Sequence, residues 1–278
     1  MANKKGICAL CGKGRRLSFE HVPPENSLNV RNVVEYRLDD WLQRDSDGRM
    51  PGGYLQPKGT GAEVFCTPCN EFTGTAYVPH FNRFVHAGAQ CLVDLGGDRV
   101  LAFNDDPEVR VAHATLSEVR RLAVLKQIVT MVLASNPPEF AAANPALRDF
   151  VRDQDRVGLP DRYRFYLSLN CGPMIGRQSG AFFEIDFGTG LATVATEVVY
   201  VPLAYLMTID APAVAPRWSK LAEITAFANL PYEDVADVDL SLPIGFAHTA
   251  FPGDYRSAAA IAREAEHGGA PEADFNSR

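Results

Sequence analysis

Two Cys-x-x-Cys pairs lie far apart in this chain and constrain its fold more than any other sequence feature. The first pair is Cys8 and Cys11, and the second is Cys66 and Cys69. Four thiolates in two close pairs satisfy the tetrahedral coordination of one structural zinc ion. The sequence therefore predicts that the four cysteines meet around a single Zn²⁺, which holds together the strands and the helix next to them.

The composition is that of a globular protein without a membrane segment. Of the 278 residues, 46% are hydrophobic and 22% are charged, which is ordinary for a soluble domain. The longest apolar run, Val198–Leu206, is interrupted by Pro202 and is too short to span a bilayer. No apolar segment precedes Cys8, so we expect no signal peptide and a cytoplasmic location. In that reducing compartment, the paired cysteines favour a metal over disulfides.

Charge is distributed unevenly along the chain. Residues 1–89 contain 11 Lys and Arg against 9 Asp and Glu, whereas the remaining residues contain 16 against 25. The N-terminal end is basic, and Lys13, Arg15 and Arg16 are candidates for contacts with nucleic-acid phosphates. A solvated terminus is the alternative interpretation. The acidic remainder favours a protein partner, or a second copy of the chain, for the C-terminal part.

The predicted elements indicate an α+β fold in two parts. Residues 1–89 are rich in Cys, His, Gly and Pro. In this part we predict a strand at Glu63–Cys66, a short helix at Val33–Gln43, and a helix over Cys69–Ala87 with a break near Pro79. The aromatic residues of the last helix recur at helical spacing, which assigns them to the core rather than to a binding surface: Tyr77, Phe81 and Phe84.

Residues 90–265 form the larger part, a mixed α+β domain with a long helix, antiparallel strands and no evident role. Thr115–Glu118 has the sequence of a capping box, which predicts that the long helix begins there. Lys126 lies within this apolar helix, and we expect its ammonium group to extend to the solvent. Residues 266–278 are polar and are predicted to be a disordered tail. The other predicted elements are helices at Pro145–Arg152 and Leu221–Ala228 and strands at Val100–Phe103, Glu108–Ala112, Tyr163–Asn170, Ala181–Phe187, Leu191–Val201, Tyr205–Ile209 and Val238–Leu242.

A second group of chemically active residues accompanies the cysteine pairs. Glu20 and His21 follow the first pair, and Asn70 follows Cys69 directly. Carboxylate and amide oxygens suit a hard divalent cation, and a histidine that titrates near neutrality suits a general base. Neighbouring residues of a strand point to opposite faces, so Glu20 and His21 can serve one site only at a strand end or twist.

The spacing of these residues resembles that of the HNH endonucleases, the ββα-metal or His-Me finger family, in their four-cysteine zinc branch. The resemblance covers residues 6–86 and rests on three segments: Cys8-x-x-Cys11, Ser18-Phe19-Glu20-His21-Val22-Pro23 and Cys66-x-x-Cys69-Asn70. It implies that the four cysteines hold structural zinc and that His21 is the general base that activates water. It also implies that Glu20 and Asn70 bind a catalytic Mg²⁺ or Mn²⁺ against the scissile phosphate.

The chain departs from the family pattern at three points. Glu20 stands where the family usually has Asp. The interval between the cysteine pairs is longer than a minimal finger needs, and the surplus lies in residues 33–61. The family's middle asparagine, which braces the catalytic histidine, has three candidates here: Asn26, Asn29 and Asn32.

Two functions are consistent with these residues. The first is a metal-dependent endonuclease that acts on nucleic acid, with DNA as the expected substrate and His21, Glu20 and Asn70 as catalytic residues. By analogy, such a two-part chain suits a mobile element, restriction or phage defence. The second is a catalytically silent module in which the zinc is structural and the protein binds nucleic acid or a partner protein.

Overall fold

The structure, a computed structural model, describes residues 5–29, 32–35, 53–57, 59–94, 110–170, 177–186, 190–200, 202–211 and 221–245. In these ranges helices are combined with antiparallel sheets, which confirms the α+β class. The predicted strand Val100–Phe103 and the predicted tail 266–278 lie outside them. None of the helices in these ranges has both the length and the apolar character needed to cross a membrane.

The N-terminal strands bring the two cysteine pairs together. The described strands of this part are β1 (Lys5–Ile7), β2 (Gly14–His21), β3 (Val33–Glu35), β4 (Tyr54–Gln56) and β5 (Gly61–Cys66). Strands β1, β2 and β5 form an antiparallel sheet in the order β1-β2-β5. Leu17 lies opposite Cys66, and His21 lies opposite Gly61. The predicted strand at Glu63–Cys66 is confirmed as part of β5.

The prediction of a helix at Val33–Gln43 is wrong where the structure describes it. Val33–Glu35 is β3, which pairs antiparallel with β4 so that Val33 lies opposite Gln56 and Glu35 lies opposite Tyr54. The β-branched Val33 and Val34 favour a strand when a partner is present. The partner strand β4 lies later in the chain, so the spacing of apolar residues within Val33–Gln43 gives no indication of it. Residues 36–43 lie outside the described ranges.

Two helices follow β5. Helix α1 (Thr67–Ala76) has Pro68 in its first turn, where the missing N–H of proline costs nothing. Helix α2 (Val78–Asp94) begins after Tyr77, so the break predicted near Pro79 occurs two residues earlier. The side chains predicted to belong to the core are all buried: Tyr77, Phe81 and Phe84.

The larger sheet has seven strands in the described residues. They are β6 (Arg110–Arg120), β7 (Tyr163–Asn170), β8 (Arg177–Asp186), β9 (Leu191–Tyr200), β10 (Leu203–Ile209), β11 (Ala222–Glu223) and β12 (Val235–Gly245). Their order is β6-β12-β7-β10-β9-β8, with β11 beside β7. Neighbours are antiparallel except β12 and β7, which are parallel. The predicted antiparallel strands are confirmed here.

The long helix begins later than the sequence predicts. Thr115–Glu118 belongs to β6, and α3 spans Arg121–Ala134. The side chains that would cap a helix are engaged across the sheet instead. The Thr115 hydroxyl donates to Asp239 at 2.6 Å, and the Glu118 amide donates to Asp237 at 3.0 Å. These bonds to β12 outweigh the local capping signal.

Two shorter helices follow α3. Helix α4 (Pro138–Ala143) precedes α5 (Pro145–Arg152), and the bounds of α5 are those predicted. The helix predicted at Leu221–Ala228 is instead β11 followed by a 3₁₀ turn at Thr225–Asn229. The Thr225 hydroxyl accepts a hydrogen bond from the Phe165 amide, which ties this turn to β7.

Helix α3 is the centre of the molecule. Every residue from Leu122 to Ala134 is buried. The expectation that Lys126 reaches the solvent is wrong. Its side chain is fully buried, and its ammonium group donates to the backbone oxygens of Phe150, at 2.7 Å, and Asp153. The end of α5 supplies the acceptors that water would otherwise provide.

One hydrophobic core contains residues of both parts of the chain, including Cys8, Phe65 and Tyr77 together with Phe165 and Met207. Hydrogen bonds join the same parts. The Tyr77 hydroxyl donates to the Val151 oxygen at 2.6 Å, and the Tyr232 hydroxyl donates to the Ala76 oxygen. Helix α2 itself crosses residue 89. The division into residues 1–89 and 90–265 as separate domains stays a prediction.

Candidate metal centre and adjoining residues

The four paired cysteines form one cluster. Their sulfur atoms all lie within 4.8 Å of one another, and the Sγ atoms of Cys11 and Cys66 are 3.8 Å apart. A metal–sulfur distance of about 2.3 Å places neighbouring sulfurs of a regular tetrahedron about 3.8 Å apart. The cluster formed by Cys8, Cys11, Cys66 and Cys69 could therefore hold one metal ion such as zinc.

The backbone around Cys8 is arranged to support a negatively charged sulfur. The amides of Cys11 and Cys66 donate hydrogen bonds to Cys8 Sγ at 3.5 and 3.3 Å. The turn closes through the Gly12 amide, which donates to the Cys8 oxygen at 2.8 Å. Gly12 has a φ of 70°, a left-handed conformation that glycine adopts without strain. The first cysteine pair is thus a tight turn that presents both sulfurs on one side.

Hydrogen bonds between the cysteines also distribute their protons unequally. The pKa of Cys8 is lowered from 9.0 to about 4, mainly because the Cys69 thiol donates to its sulfur, with further help from backbone amides and in spite of burial. The same bond raises the pKa of Cys69, the donor. Metal ligation requires thiolates, so the lowered pKa of Cys8 favours the form of this cysteine that binds a metal.

Glu20 is the next-to-last residue of β2 and is 5% exposed. No hydrogen bond to its carboxylate is found among the described residues. Burial raises the pKa of Glu20 from 4.5 to about 8, because a carboxylate without a partner is costly to remove from water. A cation placed beside this carboxylate would offset that cost.

His21 is the last residue of β2, and its ring contacts the ring of Phe19 edge-on with centroids 4.9 Å apart. This contact places Phe19 and His21 on one face of the strand with Glu20 between them, and the register of β2 against β5 shifts between Ser18 and Phe19. Gly61 lies opposite His21, and a Cβ built on it would be 2.1 Å from the backbone oxygen of Glu20. Glycine is therefore required there for the two strands to approach this closely.

Asn70 lies in the first turn of α1 and faces β2. Its Nδ2 donates to Ser18 Oγ at 3.1 Å and to the Phe19 backbone oxygen at 2.9 Å. A carbonyl oxygen can only accept, so these contacts identify Nδ2 and leave Oδ1 pointing elsewhere. No hydrogen bond to Oδ1 is found among the described residues. Asn70 is therefore held against the two residues of β2 that precede Glu20.

A network around Asn29 holds the loop that follows His21. Asn29 is fully buried, and its Nδ2 donates to the oxygens of Pro23, at 2.6 Å, and Thr60, at 2.9 Å. Its Oδ1 accepts from the Thr60 amide at 2.9 Å. The Val22 amide donates to the same Thr60 oxygen at 3.0 Å. Asn29, one of the three candidates left open by the sequence, joins the end of β2 to the start of β5.

The basic residues predicted to contact nucleic acid are all exposed on the β1–β2 hairpin: Lys13, Arg15 and Arg16. Lys5 is also exposed and lies opposite Arg16. None of these four side chains forms an ion pair within the described ranges. An open cleft beside them is lined by Gly14, Arg15, Arg16, Cys66, Thr67 and Pro68. The basic hairpin therefore adjoins the cysteine cluster.

The described residues contain no second group of three or more His, Cys, Asp or Glu side chains close enough to share a metal. His80 packs edge-on against Tyr232, and His86 Nε2 lies 3.1 Å from the Asn26 oxygen. Glu20 and His21 are neighbours at the end of β2, and Asn70 contacts the two residues that precede Glu20. A second cation at this place would depend on the oxygens of Glu20 and Asn70 and on a bound phosphate.

Comparison with known proteins finds no match to this chain among family models, curated proteins or solved structures. The functional interpretation therefore depends on the geometry of the residues described above.

Proposed function

We propose that this protein is a metal-dependent endonuclease that hydrolyses phosphodiester bonds in nucleic acid, with DNA as its substrate. The observation that carries the proposal is the position of Asn70, which is hydrogen-bonded to Ser18 and Phe19, the two residues of β2 that precede the buried Glu20. His21 ends the same strand. In this proposal the acid, the amide oxygen and the imidazole act on one phosphate beside the cysteine cluster.

Two kinds of metal ion would serve different purposes. Zinc at Cys8, Cys11, Cys66 and Cys69 would fix β2, β5 and the start of α1 relative to each other. Mg²⁺ or Mn²⁺ would be held by Glu20 and Asn70 Oδ1, because hard cations prefer oxygen ligands. When bound, this cation would stabilise negative charge on the phosphate and on the leaving oxygen.

His21 is the general base of the proposed reaction. Its imidazole accepts a proton from a water molecule, whose oxygen attacks the phosphorus. The bond from phosphorus to the 3′ oxygen breaks, and that oxygen takes a proton from the solvent. The strand-end position of His21 matters because neighbouring residues of a strand point to opposite faces, and only at a strand end can the ring reach the same substrate as Glu20.

The basic hairpin supplies the contacts to the substrate backbone. Lys13, Arg15 and Arg16 are exposed and form no ion pair among the described residues, so their charges are available to phosphates. The excess of acids in the rest of the chain would repel a long nucleic acid. We therefore assign the nucleic acid to the hairpin, and a protein partner or a second copy of the chain to the C-terminal part.

One observation favours the alternative function, a catalytically silent zinc module that binds nucleic acid or a protein. Within the described residues, the four cysteines are the one group of His, Cys, Asp and Glu side chains that could hold a metal without a substrate. In this alternative, Glu20 and His21 have structural roles near the zinc.

A cleavage assay separates the two functions. Zinc-loaded protein is desalted and incubated with plasmid, single-stranded DNA and RNA, with and without Mg²⁺ or Mn²⁺. We expect cleavage of DNA that requires the added cation and is lost in His21→Ala. His113→Ala is the matched control, because His113 is an exposed histidine on β6 of the other sheet and should leave cleavage unchanged.

Cleavage of RNA in place of DNA would correct the substrate. Cleavage that survives His21→Ala would remove His21 from the mechanism. If no polymer is cut but nucleic acid is bound, and binding is lost when Arg15 and Arg16 are both replaced by Ala, the silent module is the better description.

A further inference from the structure

The larger sheet contacts the loop that follows His21 through the Tyr200 side chain. Tyr200 is the last residue of β9 and is 7% exposed. Its hydroxyl lies 3.3 Å from Asn29 Oδ1 and 3.4 Å from the Leu28 oxygen, and both are acceptors for its proton. The C-terminal part therefore touches the network that holds the end of β2.

This contact completes the hydrogen bonding of the Asn29 side chain. Nδ2 uses its two protons for Pro23 and Thr60, and Oδ1 accepts from the Thr60 amide and from Tyr200. A buried amide with every position satisfied has one orientation, because any rotation leaves polar atoms without partners. Tyr200 thus contributes to fixing Asn29, and through it Thr60 and Val22.

The backbone of the loop that follows His21 is strained and closely packed. Leu28 has a φ of 70°, a left-handed conformation that is unfavourable for a residue with a side chain. Gly59 approaches so closely that a Cβ there would lie 2.1 Å from the Asn29 oxygen. Helix α2 also contacts the loop, where the Ser27 hydroxyl donates to Asn82 and His86 Nε2 lies near the Asn26 backbone oxygen. The loop is therefore hydrogen-bonded to both α2 and β9.

We propose that Tyr200 is a positioning residue for the strand end that carries Glu20 and His21, and that holding this end is one task of the C-terminal sheet. The proposal rests on the nuclease function proposed above for its catalytic consequence. The support of the loop itself rests on the hydrogen bonds from Tyr200 to Leu28 and Asn29.

Tyr200→Phe tests the proposal because it removes one hydroxyl and keeps the buried ring. Tyr163→Phe is the matched control. Tyr163 is a buried tyrosine of β7 in the same sheet, and its hydroxyl donates to Asn144 Oδ1 at 3.0 Å, away from the loop. Amide hydrogen exchange is measured at Val22 and Thr60 in both variants, with kcat and KM for cleavage of the best substrate.

In Tyr200→Phe we expect exchange at Val22 and Thr60 to rise roughly fivefold to tenfold, the effect of losing about one hydrogen bond. We expect kcat to fall by a similar factor with little change in KM. Tyr163→Phe should do neither. Equal exchange at these amides in the two variants would overturn the proposal, as would an unchanged kcat in Tyr200→Phe.

The outcome also separates this proposal from the nuclease function. If exchange responds in Tyr200→Phe alone but the unmodified protein cleaves no substrate, the nuclease function is overturned and the support of the loop by Tyr200 stands. If the unmodified protein cleaves and exchange does not respond, the nuclease function stands and Tyr200 is not a positioning residue.

Discussion

Arg148 on α5 donates a hydrogen bond from Nε to the backbone oxygen of Leu10 at 3.2 Å. Leu10 lies inside the first cysteine pair, so a helix of the C-terminal part holds the turn that carries Cys8 and Cys11. The guanidinium also lies against Gly12. A Cβ on that glycine would be 2.5 Å from one of its nitrogens. The metal centre and the C-terminal part are therefore packed as neighbours.

Gly12→Ala should destabilise the protein and weaken metal retention. The substitution places a side chain at a φ of 70° and against Arg148, and we expect a loss of about 1–3 kcal/mol in the free energy of unfolding. Urea unfolding measures the loss, and transfer of zinc to a chromogenic chelator measures retention.

Gly74→Ala is the control for Gly12→Ala. Gly74 lies in α1, and no atom is found within 4 Å of a Cβ built there. Alanine is the better helix residue by about 0.5–1 kcal/mol, so this variant should be as stable as the unmodified protein or more stable. Equal stability of the two variants would show that the left-handed backbone at residue 12 accepts a side chain without strain, and would contradict the prediction.

Cys69→Ser should release the metal and unfold the N-terminal sheet. Structural zinc in small modules contributes roughly 10–16 kcal/mol of binding free energy that is coupled to folding. We expect the variant to be purified with less zinc and to melt at a lower temperature. Cys91→Ser is the control, because Cys91 is a free, partly buried cysteine outside the cluster. Equal zinc content and melting in both variants would contradict the metal centre.

The sequence predicts the cysteine cluster correctly because its spacing is a local signal with one coordination geometry. It also predicts α5 and the core aromatics of α2, whose patterns are complete within a few residues. It does not predict that Thr115 belongs to a strand, since the competing partner Asp239 is more than a hundred residues away. A local capping pattern cannot report such a partner.

In the candidate site, too, some features follow from local sequence and others depend on contacts between residues that are distant in sequence. Glu20, His21 and Asn70 are candidates because of their positions beside the cysteines, whereas the contacts of Asn29 with Thr60 and Tyr200 are visible only in the structure. Tyr200 itself has no sequence signal, because its role depends on how the larger sheet packs against the loop. Long-range contacts therefore decide which polar residues support the site.

Glu20→Gln should stabilise the metal-free site at alkaline pH. Burial raises the pKa of Glu20 from 4.5 to about 8, so its contribution to stability is present below pH 4.5 and is lost as the pH rises through about 8. Glutamine removes the cost of ionising the group. Above pH 8 we expect the variant to be more stable than the unmodified protein by about 1–3 kcal/mol in urea unfolding.

Added Mn²⁺ should make the unmodified protein more stable than Glu20→Gln if Glu20 is a ligand of the cation. A cation that binds the folded state stabilises it according to its concentration relative to its dissociation constant. We expect Mn²⁺ to raise the melting temperature of the unmodified protein and of Glu139→Gln, an exposed glutamate of α4. It should not raise that of Glu20→Gln. An equal response in all three proteins would exclude Glu20 as a cation ligand.

Lys126→Met should change how stability depends on alkaline pH. Burial lowers the pKa of Lys126 from 10.5 to about 8. Between these values the unfolded chain binds more protons than the folded one, so this residue makes stability rise with pH over that window. Below pH 8 the buried ammonium persists because the oxygens of Phe150 and Asp153 accept its protons. In Lys126→Met, stability loses the part of its pH dependence that comes from this amine, and the hydrogen bonds to Phe150 and Asp153 are absent.

The difference in unfolding free energy between the unmodified protein and Lys126→Met isolates this residue, because the other titrating groups cancel. We expect the difference to increase in favour of the unmodified protein by roughly 1–3 kcal/mol from pH 7.5 to pH 10.5. Lys13→Met, at an exposed lysine of the β1–β2 hairpin, should show no such change. A constant difference for Lys126→Met would mean that the buried amine keeps its ordinary pKa, and that its two carbonyl acceptors fully replace the lost water.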